Sequence, residues 1–295
     1  MTLQFVPNFV DISIDAATWA RAREAEGWHG VAVADHLWHR ERAYPHLWVS
    51  LGAMATATSR VILTSSFANN LLRSPVEFAQ AAMTVQQVSG GRFEAGLGAG
   101  WVRAEIEQIG HRYPAPPERI SRYIEAITIA RDLLRTRHCT FHGDYYGVDV
   151  DILGPDVPPP PLVASLGGPR SIREVAPLVD RVELKVSSKA TRGGELDYTA
   201  FQLVDEADVD SLVRQVRAIR PDVPLGMFLQ VGVGDHPRLA QLAEMLGDSW
   251  MASFIGTPAK VAEGLLALEA RGIERVQLTP YSPDTFELLA PHLCA

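Results

Sequence analysis

The stretch Val61–Leu97, "VILTSSFANNLLRSPVEFAQAAMTVQQVSGGRFEAGL", decides the fold. Two short apolar runs, Val61–Ser65 and Phe93–Leu97, flank a helix-period segment, Pro75–Val88. Ser74 precedes Pro75, which places an N-cap residue before a proline at the first helical position. The "VSGGRF" that follows is a glycine-rich exit from the helix into the next strand. The stretch therefore predicts one strand–helix–strand unit.

The same alternation of short apolar runs and helix-period segments fills the chain. Eight strand–helix pairs with continuous apolar strands predict a parallel sheet that is covered on both faces. The count favours a closed TIM (β/α)8 barrel over a doubly wound sheet. The predicted strands are Leu3–Phe9, Gly30–Ala34, Val61–Ser65, Phe93–Leu97, Pro161–Ser165, Arg181–Val186, Pro224–Val231 and Arg275–Thr279. The predicted helices are Ala16–Glu26, Leu47–Thr58, Pro75–Val88, Pro117–Leu134, Ser171–Leu178, Val209–Ile219, Pro237–Leu246 and Pro258–Ala270.

Two segments interrupt the alternation, and we interpret them as short insertions in a single domain, 1–295. The first, near 136–160, has glycines and aspartates around two tyrosines and ends in a proline run. It predicts a small β-excursion and an extended lead into the fifth strand. The second, near 187–205, follows the sixth strand and predicts a short lid or binding loop.

Composition limits the classes of partner and the location. The chain has 295 residues and a formal net charge of −8, which argues against non-specific binding of nucleic acid. No apolar run is long enough for a membrane span, and the first residues lack the features of a signal peptide. Two cysteines form no disulfide framework. We therefore expect a cytoplasmic protein that acts on a small molecule.

In a barrel of this type, functional residues lie at the carboxyl ends of the strands. The second predicted strand ends in Asp35 and His36, with Trp38 as an aromatic wall. "GLGAGW" (Gly96–Trp101) and "SLGGP" (Ser165–Pro169) put bare backbone at two further tips, where amide groups can bind an anion. Tight turns without a ligand are the alternative for either motif alone. Together they favour a binding site, although Trp101 stands where the dinucleotide fingerprint needs a glycine.

Asp35 and His36 allow other interpretations. The aspartate could cap a helix, and the histidine could be a hydrogen-bonded wall residue. A metal site is disfavoured, because "LQFVPNFVD" lacks the His-x-His of metallohydrolase barrels.

Several motifs together resemble the bacterial luciferase-like superfamily. They are "ADHLW", the block from Thr64 to Gly110, "FHGDYYGV", "PPPLVASLGGPRSIREVAP" and "FIGTPAKVAEGLLALEARGIERVQL", which span nearly the whole chain. Within them "GAGWVRAEIEQIG" is most similar to the coenzyme F420-dependent oxidoreductase branch. The resemblance implies a luciferase-like TIM barrel that holds the deazaflavin F420, or alternatively FMN, at its mouth.

The resemblance also implies the site residues. His36 becomes the candidate catalytic acid or base, and Asp35 lies beside the cofactor with it. Because a carboxylate beside an imidazole can fix its tautomer, we also expect Asp35 to hold the His36 ring. A non-proline cis peptide is expected at Ser66–Phe67, or alternatively at Ser65–Ser66, to support the ring. Backbone at Gly98–Trp101 and Gly167–Gly168 is expected to hold the ring edge and the phosphate. The implied cofactor-binding residues are Asp35, His36, Ser65, Ser66, Phe67, Asn69, Gly98, Ala99, Gly100, Trp101, Ser165, Leu166, Gly167 and Gly168.

The chain departs from the family pattern at two places. Trp101 stands where the sugar-phosphate dehydrogenase branch has a catalytic glutamate, and the sixth strand carries Glu183 and Lys185 where neutral residues are common. We expect an F420-dependent oxidoreductase that transfers a hydride to or from a small organic substrate. An FMN-dependent monooxygenase and a non-catalytic flavin-binding barrel remain alternatives. Because the lid is short and family members often pair, we expect a homodimer.

Overall fold

Eight parallel strands close into a barrel in the computed structural model, which describes residues 3–39 and 42–294. Each strand pairs with the next, and the eighth pairs with the first. The predicted TIM barrel is confirmed, with strands close to their predicted bounds. They are β1 (Gln4–Phe9), β2 (Gly30–Val33), β3 (Ile62–Ser65), β4 (Phe93–Gly98), β5 (Leu162–Leu166), β6 (Arg181–Leu184), β7 (Leu225–Val233) and β8 (Arg275–Pro280).

Helices surround this barrel and bury their apolar faces against it. Helix α3 has the predicted bounds, because the Ser74 hydroxyl accepts the Glu77 N–H at 3.0 Å and fixes its start. The helices are α1 (Ala16–Ala25), α2 (Leu47–Ala57), α3 (Pro75–Val88), α4 (Arg103–Gln108), α5 (Pro116–Thr136), α6 (Pro169–Val175), α7 (Tyr198–Gln202), α8 (Glu206–Arg217), α9 (Pro237–Leu246), α10 (Pro258–Leu266) and α11 (Thr285–Leu293). None of those in the described ranges combines the length and apolar character that crossing a membrane requires.

The structure differs from the predicted elements mainly in short pieces. The sequence pattern does not predict helices α4, α7 and α11; the first two have only six and five residues, and the third contains Pro291. The predicted β-excursion is a hairpin of Cys139–His142 with Gly147–Val150. The carboxylate of Glu125 holds its turn by accepting backbone N–H groups of three consecutive residues. The segment after β6 contains a 3₁₀ turn and α7.

Polar side chains lie in the barrel interior below the mouth. Arg275 binds Gln4 and Glu94, and all three lie near the amino ends of their strands. Above them Glu183 is fully buried; its Oε1 accepts from Gln277 Nε2 at 3.1 Å, and its Oε2 has no partner among the described residues. A Cβ at Gly226 would collide with the Glu183 carboxylate. The glycine thus makes the room that Glu183 occupies.

This buried carboxyl makes stability depend on pH. Burial raises the pKa of Glu183 to about 7, although Arg275 and Arg181 favour its ionised form. Because the folded-state pKa lies above the unfolded one, the stabilisation is complete below about pH 4.5 and is lost as pH rises through 7. From pH 5 to pH 8, the free energy of unfolding of wild type should fall by about 2–3 kcal/mol more than that of Glu183→Gln, since each pKa unit is worth about 1.4 kcal/mol.

Urea unfolding of both proteins at pH 5 and pH 8 measures this difference. Comparing the two pH values cancels any fixed cost of the substitution. Equal pH dependence in wild type and variant would show that Glu183 does not titrate in this range.

Candidate active site at the barrel mouth

Asp35 at the tip of β2 anchors the loop that follows β3. Its carboxylate is 2% exposed and accepts two hydrogen bonds from the Arg73 guanidinium, 2.9 Å from Nη2 and 3.2 Å from Nε. It also accepts the Asn69 backbone N–H at 2.8 Å. The hydrogen bond to Asp35 raises the pKa of Arg73 further above its usual range. The predicted pairing of Asp35 with His36 is therefore wrong, because other donors take up this carboxylate.

The carboxylate that contacts His36 belongs to Glu105 in α4. Glu105 is fully buried, and its Oε1 lies 3.0 Å from His36 Nδ1. The same oxygen accepts from Asn69 Nδ2 at 3.3 Å, while Oε2 accepts the Leu37 N–H at 3.0 Å. His36 itself is partly exposed at the mouth. The site thus holds an imidazole against a buried carboxylate.

Aromatic side chains surround the imidazole. The His36 ring lies 5.2 Å from the ring of Tyr44 and 6.0 Å from that of Trp101, which it meets edge-on. Trp38, the predicted aromatic wall, lies in a two-residue strand that pairs with Arg42–Ala43. Tyr44 and Trp101 thus add aromatic surface beside His36.

The glycines of β4 are explained largely by packing. A Cβ at Gly96 would collide with the Ser65 carbonyl oxygen, and one at Gly98 would lie 3.0 Å from the Phe67 Cβ. Both glycines let β4 approach the segment after β3, where the predicted non-proline cis bond is present at Ser66–Phe67. Gly100 has a φ of 78° and packs against Asn69. Much of "GLGAG" thus shapes the wall rather than leaving space for a ligand.

The tips of β5 and β6 add a different surface. At Gly167 a Cβ would collide with the Lys185 carbonyl oxygen, so this glycine too serves packing. At Gly168 the nearest atom to such a Cβ is Ser171 Oγ, at 3.8 Å, which leaves open space. Of the two glycines, only Gly168 has room for a ligand against its Cα.

Lys185, at the end of β6, brings a cation to the mouth. Its Nζ lies 5.5 Å from the centre of the Trp101 ring. Burial, and then the nearby Arg119 guanidinium, lower the pKa of Lys185 to about 8. His36, Trp101 and Lys185 therefore form a continuous row across the mouth.

Not every predicted residue presents its side chain to the mouth. Ser65 is fully buried; its hydroxyl donates to the Gly96 carbonyl and accepts the Gly96 N–H, both at 2.8 Å. Leu166 is also fully buried and belongs to the core. Only their backbones could reach a ligand. The half-buried predicted residues at the mouth are His36, Phe67, Ala99, Gly100, Trp101, Ser165, Gly167 and Gly168.

Comparison with known proteins identifies the family. A family model described as luciferase-like monooxygenase matches residues 14–193. The chain belongs to the luciferase-like monooxygenase family. This confirms the resemblance stated from the sequence.

Relatives of this luciferase-like chain carry one name repeatedly. An F420-dependent glucose-6-phosphate dehydrogenase of Amycolatopsis mediterranei is 33% identical over 160 residues, which cover 52% of this chain and 48% of that protein. The chain thus spans about half the length of the first curated relatives it matches. A dehydrogenase of the same name from Beutenbergia cavernae is 35% identical over 283 residues, covering 85% of this chain and 80% of the relative.

A solved structure shares the whole fold. An F420-dependent secondary alcohol dehydrogenase in complex with an F420-acetone adduct superposes with a TM-score of 0.78. It is 20% identical, and the match covers 100% of this chain and 98% of that one. At this identity the likeness supports the luciferase-like barrel alone. The names of the relatives agree with the branch expected from "GAGWVRAEIEQIG".

Sequence reasoning missed two residues of this luciferase-like site. Glu105 was not predicted because no local pattern predicts α4. Arg73 was not predicted because "LLRSP" indicates only the approach to a helix. Glu105 lies in the first turn of the helix that follows β4, and a charged residue at such a place is the signal that points to it. Arg73 lies directly before the N-cap Ser74, where the sequence offers no comparable signal. Chemically, the mouth offers a held imidazole, an aromatic wall and a cation.

Proposed function

We propose that the chain is an F420-dependent oxidoreductase that transfers a hydride between the cofactor and a small organic substrate, with His36 as the acid or base. The observation that carries the proposal is the partly exposed His36 imidazole, held by buried Glu105 beside the Trp101 ring. The names of the relatives support F420 as the cofactor.

The residues at the mouth fit a planar, acidic cofactor. Phe67 and Trp101 offer half-buried aromatic surface, and Gly168 leaves open space against its backbone. Lys185 supplies positive charge on a chain whose formal net charge is −8. Asn8 Oδ1 is buried without a partner among the described residues, although its Nδ2 donates to Ser66 Oγ and Thr279 Oγ1. A buried acceptor of this kind is normally satisfied, and a bound ligand can do it.

F420, when bound, supplies or accepts the hydride. In the reducing direction His36 donates a proton from its ring to the substrate atom that gains negative charge, and in the oxidising direction it accepts that proton. Glu105 and Tyr44 hold the imidazole in place. Asp35 acts structurally in this scheme, because Arg73 and Asn69 occupy its carboxylate. A cytoplasmic homodimer, as expected from the sequence, completes the proposal.

An FMN-dependent monooxygenase is the second candidate, since the family model itself is described as luciferase-like monooxygenase. Such a site must protect a reactive flavin adduct from water. A non-catalytic flavin-binding barrel is the third candidate, because Trp101 stands where the sugar-phosphate dehydrogenase branch has a catalytic glutamate. Cofactor preference separates the three.

We expect F420 to stabilise the protein against heat by mass action, and FMN and NADPH to do so less or not at all. Gly168→Asp should remove the F420 effect, because a carboxylate placed in open space against the backbone would repel an acidic cofactor. The space around Gly168 means that the variant should still fold. Differential scanning of both proteins with the three cofactors is the measurement.

Stabilisation by FMN alone would favour the monooxygenase. Binding of F420 without turnover of any tested carbonyl, imine or alkene would favour the non-catalytic barrel. Unchanged F420 binding in Gly168→Asp would place the acidic part of the cofactor elsewhere at the mouth.

A further inference from the structure

Glu105 lies against the candidate acid or base, and the function proposed so far uses it only to hold the ring. We propose that Glu105 is a positioning residue that keeps the proton of neutral His36 on Nδ1, so that Nε2 is the nitrogen that exchanges a proton with substrate. This inference rests on the proposed function in assigning the use of Nε2, but the position of the ring proton can be tested without turnover.

The contacts of Glu105 leave it little freedom. Its side chain is fully buried, and both oxygens are occupied: Oε2 by the Leu37 N–H at 3.0 Å, Oε1 by Asn69 Nδ2 at 3.3 Å and His36 Nδ1 at 3.0 Å. An ionised carboxylate only accepts hydrogen bonds. With Glu105 as the acceptor of all three bonds, the His36 nitrogen that faces it carries the proton.

Asp35, next to His36 in sequence, cannot take this part. Its carboxylate already accepts two bonds from Arg73 and one from the Asn69 backbone. Asn69 joins the two carboxylates, because its backbone N–H goes to Asp35 and its side-chain amide to Glu105. Two buried acids near the tip of β2 thus have separate tasks: Asp35 anchors the loop, and Glu105 sets the imidazole.

A fixed Nδ1–H defines the chemistry of the opposite nitrogen. In the reducing direction, F420 would supply a hydride to the substrate carbon, and the electron pair of the substrate double bond would move to the neighbouring atom. That atom takes the proton from Nε2, and the ring returns to its neutral form with its Nδ1–H still hydrogen-bonded to Glu105. Glu105 itself neither gains nor loses a proton.

Glu105→Gln tests the proposal with little change of shape. The side-chain amide can turn its NH₂ toward His36, which would move the ring proton to Nε2. Carboxylates that orient an imidazole through its other nitrogen are typically worth about 10–100-fold where they have been removed from metal sites. We expect kcat to fall by about that factor with F420 affinity unchanged. Glu105→Asp should recover part of the rate.

The matched control is Glu107→Gln, which removes an exposed carboxylate from the same helix. It should leave rate and pH profile unchanged. ¹⁵N NMR of the ring of His36 in the cofactor-free protein gives the second readout: wild type should show a protonated Nδ1 in the neutral ring, and Glu105→Gln should not.

The two readouts separate the two claims. A wild-type Nδ1 signal in Glu105→Gln, or an unprotonated Nδ1 in wild type, would overturn the positioning role whatever the enzyme does. The expected NMR result in a protein that fails to turn over with F420 would instead keep the tautomer assignment and overturn the proposed function.

Discussion

His36→Ala should lose most turnover while F420 still binds. Removal of a general acid or base typically costs about 10²–10⁴-fold in rate, and we expect a loss in that range. The affinity for F420 should stay within about tenfold, or ~1.4 kcal/mol, because the imidazole is only one part of the wall. The fold should persist, since Glu105 keeps its bonds from Leu37 and Asn69. Single-turnover oxidation of reduced F420 with a competent substrate, followed across pH, is the measurement.

Two controls sharpen the His36 experiment. His111→Ala removes an exposed histidine just beyond the same α4 and should leave the rate unchanged. Added imidazole should restore part of the activity of His36→Ala if the defect is a missing proton carrier. A wild-type rate in His36→Ala would make His36 a wall residue only. The proton would then come from water or from another group, such as Lys185 or Tyr281, which follows β8 and donates its hydroxyl to Gln230 Oε1 at 2.6 Å.

The barrel could be predicted because its signals are local. Strands that are covered on both faces have continuous apolar sequences. Ser74-Pro75 marks the start of α3, and "VSGG" marks its end. Helix α4 has neither signal: it has six residues, and its N-cap is Val102, which makes no side-chain bond. A short helix of that kind forms because tertiary contacts hold it, and these do not show in a local pattern.

The position of the candidate site could be predicted from the sequence, but the carboxylate that pairs with His36 could not. The resemblance pointed to His36 and the cis bond at Ser66–Phe67, but adjacency in sequence wrongly paired His36 with Asp35. The true partner, Glu105, is 69 residues away along the chain. Sequence also could not tell glycines that admit a ligand from glycines that admit a neighbouring strand. Gly98 and Gly168 look alike in sequence, and only the structure shows Phe67 against the first.

The Asp35–Arg73 pair carries the largest stability effect that we expect. Arg73→Met should destabilise the protein by about 3–5 kcal/mol, because it leaves a buried carboxylate without its counter-charge. The Asp35 side chain is 2% exposed and, among donors in the described residues, would keep only the Asn69 N–H. Urea unfolding of wild type and Arg73→Met at one pH measures this effect.

A double substitution separates charge burial from simple loss of packing. In Asp35→Asn/Arg73→Met no charge is stranded, so the double variant should be more stable than Arg73→Met alone. If the loss of stability in the double variant equals the sum of the losses in the two single variants, the pair contributes packing only.

Asn69 connects the Asp35–Arg73 pair to the imidazole, because it bonds Asp35 through its backbone and Glu105 through its side chain. Arg73→Met should therefore also lower kcat. The double variant should not fully restore it, since a neutral amide at position 35 would hold the Asn69 backbone less tightly than an ionised carboxylate does.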